Sequence, residues 1–195
     1  VVGLTGMGGG ALMTPALIFL GVNPTAAVAN DLVSASVSKS VGAAVHWRHG
    51  SPNLRLAAWL MVGSIPTAFA GAFIIRAVGG GEEGQDTFLT YAIGAALLFT
   101  AATYAIRMYL NLRIVTDGGV LAETDPEVKP ARTLIIGAVG GLLVGITSVG
   151  SGSLIMVALL LLYPTLSAVK LVGTDLVQAV PLVFAAAVSH VIVSG

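Results

Sequence analysis

Four ionisable residues lie in or beside the long apolar runs of this chain: Asp31, Lys39, Lys170 and Asp175. A charge at the centre of a bilayer costs at least about 2.5–3.5 kcal/mol, so such groups face a cavity, pair with each other or mark an ion path. Asp31 is followed on the same helical face by Ser34 and Ser38, and Asp175 by Gln178. A polar stripe after each acid suits a water-lined face that couples or gates movement. The competing reading is that both acids lie a turn or two into their helices and complement the positive helix N-terminus. Lys39 sits seven residues before His46 and has no acid within one turn. It either pairs with an acid from another helix, snorkels to the interface or helps to hold an anion. His46 and His190 occupy matching places near helix ends, where imidazole either carries protons or complements the helix dipole. His46 and His49 form an H-x-x-H pair with no third ligand, so neither a metal nor a cofactor is expected. No Ser-His-Asp or paired-carboxylate constellation points to an enzyme.

These residues belong to a stretch that the chain contains twice. Gly3, Thr5, Gly8, Gly10 and Leu12 fall on Gly145, Thr147, Gly150, Gly152 and Leu154. A two-residue slip in the following turn brings Asp31 onto Asp175 and His46 onto His190, while Lys39 falls on Val183. Gly6, Gly8 and Ala11, with Asp31 about 20 residues on, match the dinucleotide fingerprint. That motif needs a strand, a turn and a helix in a soluble domain, and here the flanks read as membrane spans. Glycines in one apolar run would suit close helix packing. In matching places of two runs, they point to helices broken at mid-membrane, whose freed N–H groups a bound anion can satisfy. The candidate binding residues are therefore Thr5, Gly8, Gly9, Gly10, Thr147, Ser148, Gly150, Ser151, Gly152, Ser153 and Lys39. Asp31, Ser34, Asp175, Gln178, His46 and His190 are the candidates for coupling or gating.

The composition requires a membrane. Only 9% of the 195 residues are charged, against about a quarter in soluble domains. Mean hydropathy is +0.96, and the apolar runs reach about 20 residues, enough to cross a bilayer core. A formal net charge of zero gives no electrostatic footprint for nucleic acid. With no cysteine, disulfides and thiolate metal sites are excluded.

The expected architecture is an all-α, polytopic transmembrane bundle built from two sequence repeats with Gly-broken segments. Residues 1–110 form the first repeat, 111–132 a polar cytoplasmic linker and 133–195 a second repeat lacking about two spans. Spans are read at 1–20, 25–45, 54–75 and 88–110, with a Gly-rich acidic loop over 77–86. Asn23 and Pro24 start the second helix as cap and first residue. In the third, Gly63, Thr67 and Gly71 recur every four residues, as do Ser64, Ala68 and Ala72, giving a face that another helix can approach. Residues 133–163, roughly 46 Å as helix, exceed one upright span. They either cross once as a broken helix, giving parallel repeats, or dip in and return, giving inverted ones. Residues 168–193 form the last span. Arg48, Arg55, Arg107, Arg113, Lys129 and Arg132 flank the turns at 46–53 and 111–132, so the positive-inside rule puts those turns in the cytoplasm.

The G-x-G-G-G-A-L-M-T-P run at residues 6–15, the A-N-D and G-T-D signatures ending at Asp31 and Asp175, and the basic turn after the second helix resemble the sulfite exporter TauE/SafE family of anion permeases. In the second copy Gly150-Ser151-Gly152 stands where the family has three glycines. The resemblance implies a transporter of the bacterial inner membrane that moves sulfite, a sulfonate or a sulfoacetate-like anion, with protons as one means of coupling. Its partners would be the small anion and the lipid bilayer, with a homo-oligomer as an option and no nucleic acid. The alternatives are a cation-coupled or cation-selective transporter using Asp31 and Asp175, and a membrane scaffold without transport.

Overall fold

A computed structural model describes residues 10–49, 52–116, 126–150, 152 and 154–194. These residues form seven helices and no strand: α1 (Gly10–Phe19), α2 (Pro24–Arg48), α3 (Leu54–Gly79), α4 (Glu82–Thr116), α5 (Pro130–Thr147), α6 (Leu154–Leu162) and α7 (Ala168–Ser194). Four helical stretches are long and apolar enough to cross a membrane: Leu54–Gly79, Glu82–Thr103, Pro130–Thr147 and Val169–Val193. α2 is not among them. Its 25 residues are long enough, but four serines, an Asn, an Asp and a Lys lower its hydropathy.

The local chemistry explains the helix ends. The Asn23 side chain accepts from Thr25 N at 2.9 Å, with Pro24 in the first turn, as expected for that start. Asn53 caps α3 in the same way by accepting from Leu56 N at 3.1 Å. The acidic loop expected over 77–86 is instead a tight turn. α3 continues to Gly79, Gly80 takes a left-handed φ of 64°, and α4 begins at Glu82. Glu82 and Glu83 favour that helix start because the N-terminal turn carries positive partial charge. At the other end α4 runs to Thr116, and α5 starts at Pro130, so the helices reach into the stretch read as linker.

α3 and α5 pack in parallel through their small residues. A side-chain carbon added at Gly63, Gly137, Gly141 or Gly145 would fall inside contact distance of the facing backbone at Leu134, Leu60, Ser64 and Ala68 respectively. The four-residue stripe read on α3 therefore meets a matching stripe on α5. α2 and α7 run antiparallel: residues 40–47 lie beside 177–181, and residues 23–30 beside His190 and Val193. Leu32, Leu56, Leu60, Ile155, Leu159 and Leu182 fill the space between these helices. Phe19, Leu98, Phe99, Ile135, Val139 and Phe184 are exposed on the outside, where hydrocarbon is a favourable surrounding.

α6 runs back along α5. A side-chain carbon at Gly140 would meet Ile155. At the far end of α6 the Tyr163 hydroxyl lies 2.6 Å from Thr133 Oγ1 and accepts from Lys129 N at 2.8 Å. The chain thus enters along α5, turns between the end of α5 and the start of α6, and returns to where it entered. Of the two paths open for residues 133–163, the dip-and-return path is the one the geometry has.

Candidate functional site

The turn between α5 and α6 lies within the bundle. Asp31, which the turn touches, is seven residues into α2, or about 10 Å along its axis. α5 stops at Thr147 because Ser148 adopts a left-handed φ of 57°, its N–H still reaching Val144 O at 2.7 Å. Gly150 follows at φ 110°, a conformation that a side chain would strain. Thr147, Ser148, Val149, Gly150 and Gly152 are all buried. The Thr147 hydroxyl turns back to Leu143 O at 2.7 Å and accepts from Val149 N at 3.1 Å. The break therefore meets part of its own hydrogen-bonding need and presents the Ser148 hydroxyl outward.

That hydroxyl donates to Asp31 Oδ2 at 2.5 Å, and Thr14 Oγ1 of α1 donates to the same oxygen at 3.2 Å. Asp31 is 1% exposed, and its Oδ1 is buried with no hydrogen-bond partner among the described residues. Lys39, two turns on, is also buried. It lies within electrostatic reach of both acids, Asp175 on α7 and Asp31 on its own helix. Asp175 also accepts from Gln178 Nε2 at 3.2 Å, and Ser64 Oγ of α3 reaches Gln178 Oε1 at 3.3 Å. The i+3 spacing read from the sequence is thus a hydrogen bond on α7. On α2 the equivalent Ser34 is only half-buried.

The two matching histidines differ in their surroundings. His190 is buried, and its Nε2 lies 2.8 Å from Gly145 O, which ties α7 to the last turn of α5. His46 sits half-buried in the last turn of α2, where it suits the helix dipole. A cavity of about 640 Å³ opens at the 21–24 end of the bundle, lined by Asn23, Asn30, Arg76, Glu82, Asp86 and His190 among others. Asp86 of α4 closes one wall by accepting from Asn23 Nδ2 and, at 2.9 Å, from Thr25 Oγ1. At the opposite end Asn53 N donates to Thr174 Oγ1 at 2.9 Å, which joins the start of α3 to α7.

The fold thus brings Asp31 to Ser148 and His190 to the last turn of α5, sets Asp175 beside Gln178 with Lys39 in electrostatic reach of both acids, and leaves His46 at the 49–53 end. Asp175 and His190 lie about 22 Å apart along α7. Gly10 opens α1, while Thr5, Gly8, Gly9, Ser151 and Ser153 lie outside the described residues. Thr14 and Ser64 join the site without a sequence signal. Thr14 falls on Met156 in the second copy, so the repeat did not single it out, and Ser64 read only as a small packing residue.

The sequence profile described as "Sulfite exporter TauE/SafE" matches residues 1–195. The chain is 40% identical over 188 residues to "Probable membrane transporter protein YjnA" of Bacillus subtilis (strain 168), covering 96% of this chain and 73% of that protein. No solved structure gives a significant match. The apolar spans, the buried polar break and these matches together make the chain a multi-pass membrane transporter, and it belongs to the sulfite exporter TauE/SafE family.

Proposed function

We propose that the chain moves a small sulfur oxyanion, of sulfite, sulfonate or sulfoacetate type, across the bacterial inner membrane at the α5–α6 break. The observation that carries the reading is a buried, hydroxyl-bearing interruption of a helix inside an otherwise apolar bundle. The amide groups that open α6 suit an anion, because a helix N-terminus carries free N–H groups and positive partial charge. The hydroxyls of Thr147, Ser148, Ser151 and Ser153, with Thr5 and Gly8–Gly10 from the first copy, are the other donors of this reading.

The two copies are read as inverted repeats. The antiparallel course of α2 and α7, the helices that carry Asp31 and Asp175, supports this. Residues 1–110 and 133–195 are then the two halves, and 111–132 is a cytoplasmic linker. On that orientation the 640 Å³ cavity faces outside, and the Asn53–Thr174 contact lies at the cytoplasmic end.

A thermal-stability panel on the protein in detergent tests the substrate. Sulfite, sulfate, thiosulfate and small sulfonates are compared with sodium, calcium and chloride. A ligand at 100 times its Kd stabilises by about 2.7 kcal/mol. One sulfur oxyanion should raise the Tm, and Gly150→Leu should abolish the shift. Stabilisation by sodium or calcium alone would replace this reading with a cation-coupled or cation-selective carrier built on the two acids. That second reading draws on the unsatisfied Asp31 Oδ1.

A further inference from the structure

We propose that Asp31, and not Asp175, is the proton-carrying group of this transporter, binding one proton on Oδ1 from the water of the 21–24-end cavity. The proposal rests on the transport reading above and assigns its coupling ion and residue.

The first observation is the division of labour between the two carboxylate oxygens. Thr14 and Ser148 both donate to Oδ2, and Oδ1 is buried with no hydrogen-bond partner among the described residues. A buried carboxylate oxygen without a donor is costly. A proton on Oδ1 removes the charge and leaves both hydroxyl bonds on Oδ2 intact, because that oxygen remains an acceptor in the acid form. No other contact has to change.

The second observation is charge balance. The charged and titratable groups that face this region are Lys39 on the same helix and Asp175 and His190 on α7. The polar groups from α1, α5 and α3 are the hydroxyls of Thr14, Ser148 and Ser64. Asp31, Lys39 and Asp175 sum to −1 when all three are ionised. One ammonium cannot balance two carboxylates, and Asp31 is the one with an oxygen that also lacks a hydrogen-bond partner among the described residues. The C-terminal turn of α5, which ends at Ser148, is a negative helix pole and suits a cation. The two sides of the break thus divide: the start of α6 for the anion, the end of α5 with Asp31 for the proton.

The third observation is a nearby cavity, which Asp31 does not itself line. Asn30, the residue before Asp31, lines the cavity, as does His190, which is bonded to the last turn of α5. Arg76, Glu82 and Asp86 stand around the same cavity. The step is a simple association: carboxylate plus proton gives carboxylic acid, and release reverses it with no redox partner.

The test uses pH-difference infrared spectra of the protein in liposomes, paired with sulfite uptake. Acidification should bring up the carbonyl stretch of a protonated carboxyl in wild type and in Asp175→Asn, but not in Asp31→Asn. A band that survives Asp31→Asn, a band lost in Asp175→Asn, or no band in wild type would each overturn the proposal. If Asp31→Asn fails to fold, Asp31→Glu serves instead, since it should shift the band frequency where Asp175→Glu does not. In uptake, a one-unit pH gradient sustains up to about a tenfold sulfite gradient for one-to-one coupling, and Asp31→Asn should lose that response. Uptake by the variant that still follows the pH gradient, or wild-type uptake driven by sodium and indifferent to pH, refutes the assignment. If no sulfur oxyanion is taken up by wild type, the substrate reading fails, while the infrared bands still decide Asp31.

Discussion

Asp31 and Asp175 occupy matching places in the two copies, yet the fold gives them different neighbours. Asp31 meets two hydroxyls, Thr14 and Ser148. Asp175 meets an amide, Gln178, and lies, like Asp31, within electrostatic reach of Lys39. The difference is written in residues that the duplication does not share. The copy register puts Gly6 opposite Ser148, Met156 opposite Thr14, and Val183 opposite Lys39. Each acid therefore has its own hydrogen-bond donors. Asp31 keeps an oxygen with no hydrogen-bond partner among the described residues beside the end of α5, and the proton proposed above would bind there.

This contrast can be broken at several points. Lys39→Met should have the largest effect on stability, because it strands Asp175 as an unpaired buried charge. Removing one partner of such a pair costs about 3–5 kcal/mol, measurable from the denaturation midpoint in detergent. The double variant Lys39→Met/Asp175→Asn should recover most of that loss, whereas Lys39→Met/Asp31→Asn should not. Recovery by the second double variant would reassign the partner of Lys39 and erase the contrast.

Gln178→Leu should cost less, about 1–3 kcal/mol, since it leaves Asp175 and the Ser64 hydroxyl each short of a hydrogen bond in a buried site. Thr14→Val keeps the shape and removes one donor from Asp31, for about 1 kcal/mol by the same measurement. Ser148 still holds Oδ2 in that variant, so the loss stays small. A Thr14→Val loss as large as that of Lys39→Met would show Asp31 to be held as tightly as Asp175. Ser38→Ala, on the exposed side of α2, should stay within about 0.5 kcal/mol and sets the baseline.

Much of this molecule was legible as sequence, because membrane helices satisfy their own backbone and show themselves as long apolar runs. The helix starts at Asn23-Pro24 and the small-residue stripe on α3 are local patterns, and both appear where the sequence puts them. The loop read over 77–86 shrinks to the turn between Gly79 and Glu82, since glycines and acids suit either a loop or a capped tight turn. The repeat pointed to Asp31, Ser148 and His190, which the fold sets around the end of α5, and to Asp175, which lies further along α7.

What the sequence determined alone was therefore membrane insertion, the helices and the chemical types near the centre. Only the tertiary structure decided that residues 133–163 return on themselves, because the deciding contact joins Thr133 to Tyr163, 30 residues apart. It also brought a second acid within reach of Lys39: Asp31 lies eight residues away on the same helix, about 12 Å along its axis, and the antiparallel α7 adds Asp175. Spacing along one helix ranks neighbours by sequence, whereas burial and charge act through space.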